Sequence, residues 1–479
     1  LAMLKASGLR VAIWRGREAK DPGATGDARM CGDIETVRKA ITLKADIDAE
    51  VCGVCPLRET CAYLAQRGQE ADLWIVAHAA LFHAAPKAVA DRGVAALIVD
   101  EGPWQAGLFG VSGRPIEIAL DALDPGAMPV PKGDGPDGGA RLSALRRSLK
   151  LALENESDGP ISRETLAGWG FDADSAAVAR RLEWQRKVER GPWRERVENS
   201  SLGPMVALWG GVGDLMAADG PELSGRLRLA RNSDKARVIQ LCGRQDIGTA
   251  WQAPALLIDA TFDLELVRPY WPTVTLKGEI EVDAPHQTVR QVLGRSFAKN
   301  ALQPIPAKPE EDRRRRRNRD KVRTFVETVA RETGGDVLLV TNKSIEDALR
   351  AEGLSPRIHT AHFNAVAGRD EWRDVRAVVV LGRPLPPAAA AERMAGALTG
   401  AARIEADYQV EDIWRRLRAG AGVELIPGRA PRHPDAMAER VRASICEAQV
   451  LQAIGRGRGV NRTAETPLAV WVLSDVALS

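Results

Sequence analysis

Tyrosine, phenylalanine and histidine are scarce in this chain of 479 residues, at 3, 7 and 6 copies, and most of its aromatic surface comes from 12 tryptophans. No apolar run approaches the roughly 20 residues that a membrane-spanning helix needs, and the first residues show no signal-peptide pattern. A membrane partner is therefore not expected. Charge of one sign is also lacking, because 67 Lys and Arg face 64 Asp and Glu for a net +3. The molecule is no polycation, and any nucleic-acid surface on it must be local. Only 6 cysteines occur. Four of them fall between Cys31 and Cys61, which is not the layout of a secreted disulfide framework, and a reducing cytoplasm is the expected location. What remains, 45% hydrophobic and 27% charged residues, is ordinary for a globular protein with room for two to four domains.

The stretch that organises the rest is Ala95 to Gln105, AALIVDEGPWQ. Its apolar half predicts a buried parallel strand. Asp100 and Glu101 then stand at the strand's carboxyl end, where an open α/β sheet places its ligands. In nucleotide hydrolases an Asp there holds Mg²⁺, and the adjacent Glu orients or deprotonates the attacking water. A strand that merely exits into solvent on two acids is the bland alternative.

The cysteines are spaced Cys31-x20-Cys52-x2-Cys55-x5-Cys61. Thiolates are soft ligands for zinc or iron–sulfur clusters. A zinc ribbon more often shows two matched C-x2-C knuckles, so this uneven spacing points to a [4Fe–4S] cluster, with Zn²⁺ as the alternative. Cys242 and Cys446 stand alone and read as packing residues.

Around these motifs the chain alternates. Leu9–Trp14 reads as a strand that runs into a loop where Arg15 and Arg17 flank Gly16, a pattern that often contacts nucleic-acid phosphates, with an ordinary solvated loop as the bland alternative. Leu73–Ala77 is a second strand, and His78 after it reads as a loop-bonding histidine. Residues 111–250 read as a helical insertion with helices over Arg141–Asn155 and Ala176–Val197. Ala255–Phe262, ALLIDATF, is another buried strand, followed by an alternating strand over Val274–Val282 and a basic cluster of Arg290, Arg295 and Lys299. The run Arg313–Arg317 follows three acids that favour a helix start; a solvated helix face is its ordinary explanation, and a phosphate-tracking groove is the other. From there helices (Val322–Thr333, Ser344–Glu352, 388–418, Ala438–Ile454) alternate with strands (Val337–Thr341, Arg376–Leu381, Leu468–Leu473), which implies a second parallel sheet.

In the last of these units Leu451 to Arg462 reads LQAIGRGRGVNR. A helix presents Gln452, breaks at Gly455 and delivers Arg456, Arg458 and Arg462. Arginines grouped at a helix end can neutralise charge on a transferring phosphoryl group.

Taken in order, the cysteine cluster, ADLWIVAHAALF, LIVDE, an insertion, LIDAT and a final QAIGRGR resemble superfamily 2 DNA helicases with an iron–sulfur cluster, of the XPD/DinG type. The resemblance implies an α/β fold of two RecA-like parallel-sheet lobes with a cysteine-cluster insertion and a helical insertion in the first lobe. Residues 1–110 and 251–285 would form the first lobe, 31–65 the cluster module, 111–250 an arch-like insertion and 286–479 the second lobe. It implies ATP and Mg²⁺ as cofactors, single-stranded or forked DNA as partner, and ATP-dependent translocation as the activity. Asp100 and Glu101 match the Walker B acids. Asp259-Ala260-Thr261 matches the Ser-Ala-Thr motif that couples nucleotide state to DNA. Gln452, Gly455 and Arg456 match the final motif, and the cysteines match the cluster ligands in role.

The chain also departs from that pattern. Asp-Glu-Gly-Pro replaces Asp-Glu-Ala-His, and Gly459 stands where a second motif arginine is expected, between Arg458 and Arg462. No G-x-x-x-x-G-K-[ST] loop occurs, and the expectation is that it precedes Leu1 in a longer protein. Two rivals stand beside the helicase: a non-catalytic nucleic-acid-binding module built on a degenerate helicase, and an iron–sulfur nuclease of the RecB type, for which no convincing Asp…Glu-x-Lys cluster is present.

Overall fold

The structure is a computed structural model. It describes residues 8–476 except positions 114, 125, 127–128, 134, 293–294, 296, 367 and 420–421. It is a mixed α/β molecule with several parallel-sheet regions. The chain divides into two compact units. The first comprises Leu1–Asp259, Val267–Pro272 and Arg393–Arg403; the second comprises Ala260–Leu266, Thr273–Glu392 and Ile404–Ser479. The insertion thus belongs to the first unit, and so does the distant segment 393–403. The boundary falls inside the Asp259-Ala260-Thr261 run.

In the first unit β1 (Val11–Trp14) pairs in parallel with β2 (Leu73–Val76). Between them lie the cysteines and helix α1 (Ile34–Thr42), which Asp33 caps through the Thr36 amide. Strand β3 (Leu97–Asp100) pairs in parallel with β10 (Ala255–Ile258), 158 residues further on, with Ile258 opposite Asp100. Two short strands, β4 (Leu108–Phe109) and β9 (Gly243–Arg244), tie the ends of the insertion together.

The insertion is not all helical. A four-stranded antiparallel sheet, in the order β5 (Ile116–Ala119), β8 (Arg237–Leu241), β7 (Leu223–Arg231), β6 (Gly159–Ser162), packs against α2 (Gly135–Glu154), α3 (Ala173–Gln185) and α4 (Leu202–Met216). The expected helix Ala176–Val197 stops at Gln185, and Pro192 lies beyond it, a residue that cannot continue a helix. In this core the buried Glu183 accepts hydrogen bonds from Arg146, Arg186 and Trp209. A charge so deep persists only when it is paired.

The second unit is a five-stranded parallel sheet in the order β11 (Gln287–Gln291), β17 (Leu468–Leu473), β14 (Ala377–Leu381), β12 (Val337–Thr341), β13 (Ile358–His362). Helices α5 (Pro309–Thr333) and α6 (Lys343–Glu352) contribute Val326, Val329, Ile345 and Leu349 to the core on one face. Helix α8 (Ala436–Gly455) contributes Cys446, Val450 and Ala453 to the core on the other. Both faces are covered, which is why β12 and β14 are apolar without alternation.

Three expectations fail here. The strand over Val274–Val282 does not form, and Ile280 is 90% exposed; alternation in that stretch meets no partner strand. The helix expected over 388–418 ends at Thr399 (α7, Ala388–Thr399), and a long antiparallel pair follows, β15 (Gln409–Ala419) and β16 (Gly422–Arg432). The helix expected from Val322 begins at Pro309 and absorbs the arginine run. Arg315 is buried on Glu311 and the Gln303 carbonyl, and Arg319 is buried on Glu352 and the Leu302 carbonyl. Within the run itself Arg315 is internal structure, while Arg313, Arg314, Arg316 and Arg317 stay exposed. Among the described residues no helix is long and apolar enough to cross a membrane.

Candidate functional site

The four cysteines converge. Cys31 lies just ahead of α1, Cys52 and Cys55 lie on a tight 3-10 turn, and Cys61 opens the next helical turn. All four line one cavity of about 90 Å³, together with Arg17, Arg58, Trp193 and Arg194. The Arg17 guanidinium donates to Cys52 Sγ at 3.4 Å and lies 4.0 Å over the Tyr63 ring. Burial pushes the Cys31 thiol up, and the neighbouring Cys61 and Cys52 add to the shift while Arg17 opposes it. Among the described residues no group of three or more His, Cys, Asp or Glu side chains is drawn tightly enough to hold a single metal ion. Four thiols around a shared void, with a guanidinium against one of them, are a donor set of the chemistry that soft metals and iron–sulfur clusters take.

The insertion closes this module. Trp193 packs with Cys31, Val37, Ala40 and Val51. Arg196 clamps Glu50 through two hydrogen bonds, and Asn199 donates to the Leu43 and Val188 carbonyls. Sequence reasoning missed these residues because nothing in their spacing links them to cysteines some 140 positions away.

The acid pair sits at the end of β3, and the parallel pairing with β10 brings Asp259 to the neighbouring strand end. Glu101 takes a left-handed backbone, with φ of 66°, and its amide is held by the Ile258 carbonyl at 2.8 Å. A non-glycine residue in that conformation is strained, and such strain collects at functional turns. Gly102 follows, where an added Cβ would stand 3.2 Å from the Asp259 carboxylate. His78 bonds the Asp100 carbonyl through Nε2 at 2.9 Å, the loop role expected of it. Asp100 is exposed, and Glu101 and Asp259 are partly so.

The arginine turn belongs to the second unit. Gln452 and Arg456 share a face at the end of α8, and Gln452 Oε1 has no hydrogen-bond partner. Arg456 donates to the Arg369 carbonyl at 3.3 Å. Arg458, itself left-handed with φ of 51°, pairs with Asp370 at 2.8 Å. Arg462 is buried and spends its guanidinium on the Gly457 and Arg373 carbonyls. It braces the turn.

The expected nucleic-acid residues scatter. Arg17 is engaged at the cysteine cavity. The Arg15 backbone is bracketed by the buried Gln66 side chain. Arg290 lies on edge strand β11 with its guanidinium 5.1 Å over Trp471. Arg295 and Lys299 are exposed further on, and Thr261 is partly buried just past β10. Compared with known proteins, the chain matches no family model and no curated protein closely enough to assign it to a family. The functional reading therefore stands on these residues alone.

Proposed function

We propose that the chain is an ATP-dependent DNA helicase or translocase, built on two RecA-like lobes and carrying a [4Fe–4S] cluster. The observation that carries this reading is the β3–β10 pair, which sets Asp100, Glu101 and Asp259 on adjacent strand ends from positions 158 residues apart. On this reading Asp100 would hold Mg²⁺, a cation that would supply charge neutralisation at a bound phosphoryl group, and Glu101 would orient the attacking water. Arg456 supplies the stabilising cation, while Arg458 and Arg462 hold its turn. Cys31, Cys52, Cys55 and Cys61 would hold the cluster, which would brace the module that α1 and Trp193 enclose. Single-stranded DNA is held mainly by its phosphates.

The test is DNA-stimulated ATP turnover by the full-length protein. Glu101→Gln is expected to lower turnover by roughly 10²–10⁴-fold, and Arg456→Ala by roughly 10³–10⁵-fold. Strand binding without any turnover would favour the non-catalytic module, and metal-dependent cleavage without ATP would favour the nuclease. An absorbance band near roughly 400 nm in anaerobically purified protein separates the cluster from colourless zinc.

A further inference from the structure

One stretch with the pattern of a strand has no sheet to join. Val274 to Val282 reads VTLKGEIEV, in which apolar and polar side chains alternate around Gly278. That is the period of a half-buried strand. Among the described residues the stretch makes no backbone hydrogen bond and belongs to no sheet. Leu276 is 54% exposed, Val282 63% and Ile280 90%. Exposed apolar residues are ordinary when they are scattered singly, but these three share one strand parity and stand close together.

Gly278 adds a second observation. Its backbone is not left-handed, and an added Cβ would meet nothing within 4 Å. Neither conformation nor crowding within the chain requires a glycine there, whereas a glycine inside a strand pattern often marks the close approach of another backbone. The charges indicate which backbone. Paired in antiparallel with its own copy about Gly278, the stretch sets Leu276 against Ile280, Val274 against Val282 and Lys277 against Glu279, each twice by symmetry. Residues directly opposite share a face, so apolar meets apolar and each lysine meets an acid. Centring the pair on Lys277 would set lysine against lysine, centring it on Glu279 would set acid against acid, and a parallel in-register pair would do both. Like charges directly opposite are destabilising. A half-step slip would set apolar residues against polar ones. Of these arrangements only the pairing about Gly278 suits both patterns, and it has the two-fold symmetry of most homodimers.

We infer that Val274–Val282 is a dimerisation strand, which pairs in antiparallel about Gly278 with the same segment of a second copy of this chain. This pairing needs neither nucleotide nor DNA. A two-stranded ribbon on its own is marginal in water, so the dimer is weak and reversible and forms as the chain reaches roughly 10–100 µM.

Sedimentation velocity on the whole chain reads the dimer, and charge exchange reads its register. Lys277→Glu sets acid against acid and Glu279→Lys sets lysine against lysine, twice in each dimer, so each variant should dimerise roughly ten-fold more weakly or worse. Mixed together, the two variants should dimerise again, because in the mixed pair every charge at positions 277 and 279 meets its opposite. Both side chains are exposed, so the substitutions should leave the fold intact, as circular dichroism checks. Hydrogen exchange should show alternate amides of 274–282 slowing as the dimer forms. A chain that stays monomeric through the stated range overturns the proposal and leaves the segment to a partner of another kind. A dimer that the single substitutions leave unchanged, or that mixing fails to restore, is built on other residues or another register and overturns it as well.

Discussion

As strings, VLLVT and LIVDE look like the same kind of strand, yet β12 and β3 meet different surroundings. Every residue of β12 is buried between β13 and β14, under helices on both faces. In β3, Val99 is 4% exposed and Ile98 is 70% exposed, and Leu256 on its partner β10 is 54% exposed. Among the described residues β3 has one neighbouring strand and one covered face. An apolar run states what a strand is suited to bury; it does not say whether other parts of the chain cover both sides. The expectation of a fully buried strand at β3 is therefore only half met, while the same reasoning at β12 and β14 holds throughout.

The sharpest way to break that comparison is to place a charge in each strand. Val340→Asp in β12 leaves a carboxylate buried and unpaired, and unfolding in urea should show a loss of about 3–5 kcal/mol or more. Ile98→Asp in β3 should move stability by no more than about 0.5 kcal/mol. Equal losses would mean that the outer face of β3 is covered in solution.

Acid should distinguish the second unit through one side chain. Burial raises the Glu439 carboxyl, but the Arg442 side chain, the His433 amide and Arg432 outweigh it and hold the group below its ordinary value. A depressed carboxyl contributes stability that is present above its unfolded pKa, about 4.3, and lost as pH falls through the folded value. The acid limb of the unfolding curve below about pH 4 should therefore flatten in Glu439→Gln, followed by circular dichroism. An unchanged limb would assign the acid sensitivity to other carboxylates.

The smallest effect is chemical. Burial pushes the thiol of Cys446 up to about 12 and that of Cys242 up to about 11, so neither supplies thiolate near neutrality. Alkylation followed by mass spectrometry should modify the partly exposed Cys55 and Cys61 first in metal-free protein and spare Cys242 and Cys446. A bound cluster should protect all four of the first group.

Much of this molecule was readable as pattern. The strand at Val337–Thr341 was legible to the residue, because five apolar or β-branched residues between a double glycine and a helix start leave little choice. The cysteine module was legible from spacing, and the acid pair from its place after an apolar run. The β15–β16 pair was not. Its strands mix arginines with Val410, Trp414 and Leu425, and Trp414 is 69% exposed; without a buried face there is no clean alternation to read. Strand β13, IHTAH, escaped for the related reason that an edge strand carries polar residues on its open side.

Composition and order by themselves determined the α/β class, the parallel character of the second sheet, the grouping of four cysteines and the identity of the acids and arginines. Those follow from periodicity and local chemistry, which act over a few residues. Only the folded chain decided that β3 pairs with β10, that Trp193 and Arg196 close the cysteine module, and that Arg462 and Arg319 are internal braces. Each of these joins residues far apart in sequence, and such pairings are fixed by which surfaces can bury one another, a choice that no single stretch of sequence contains.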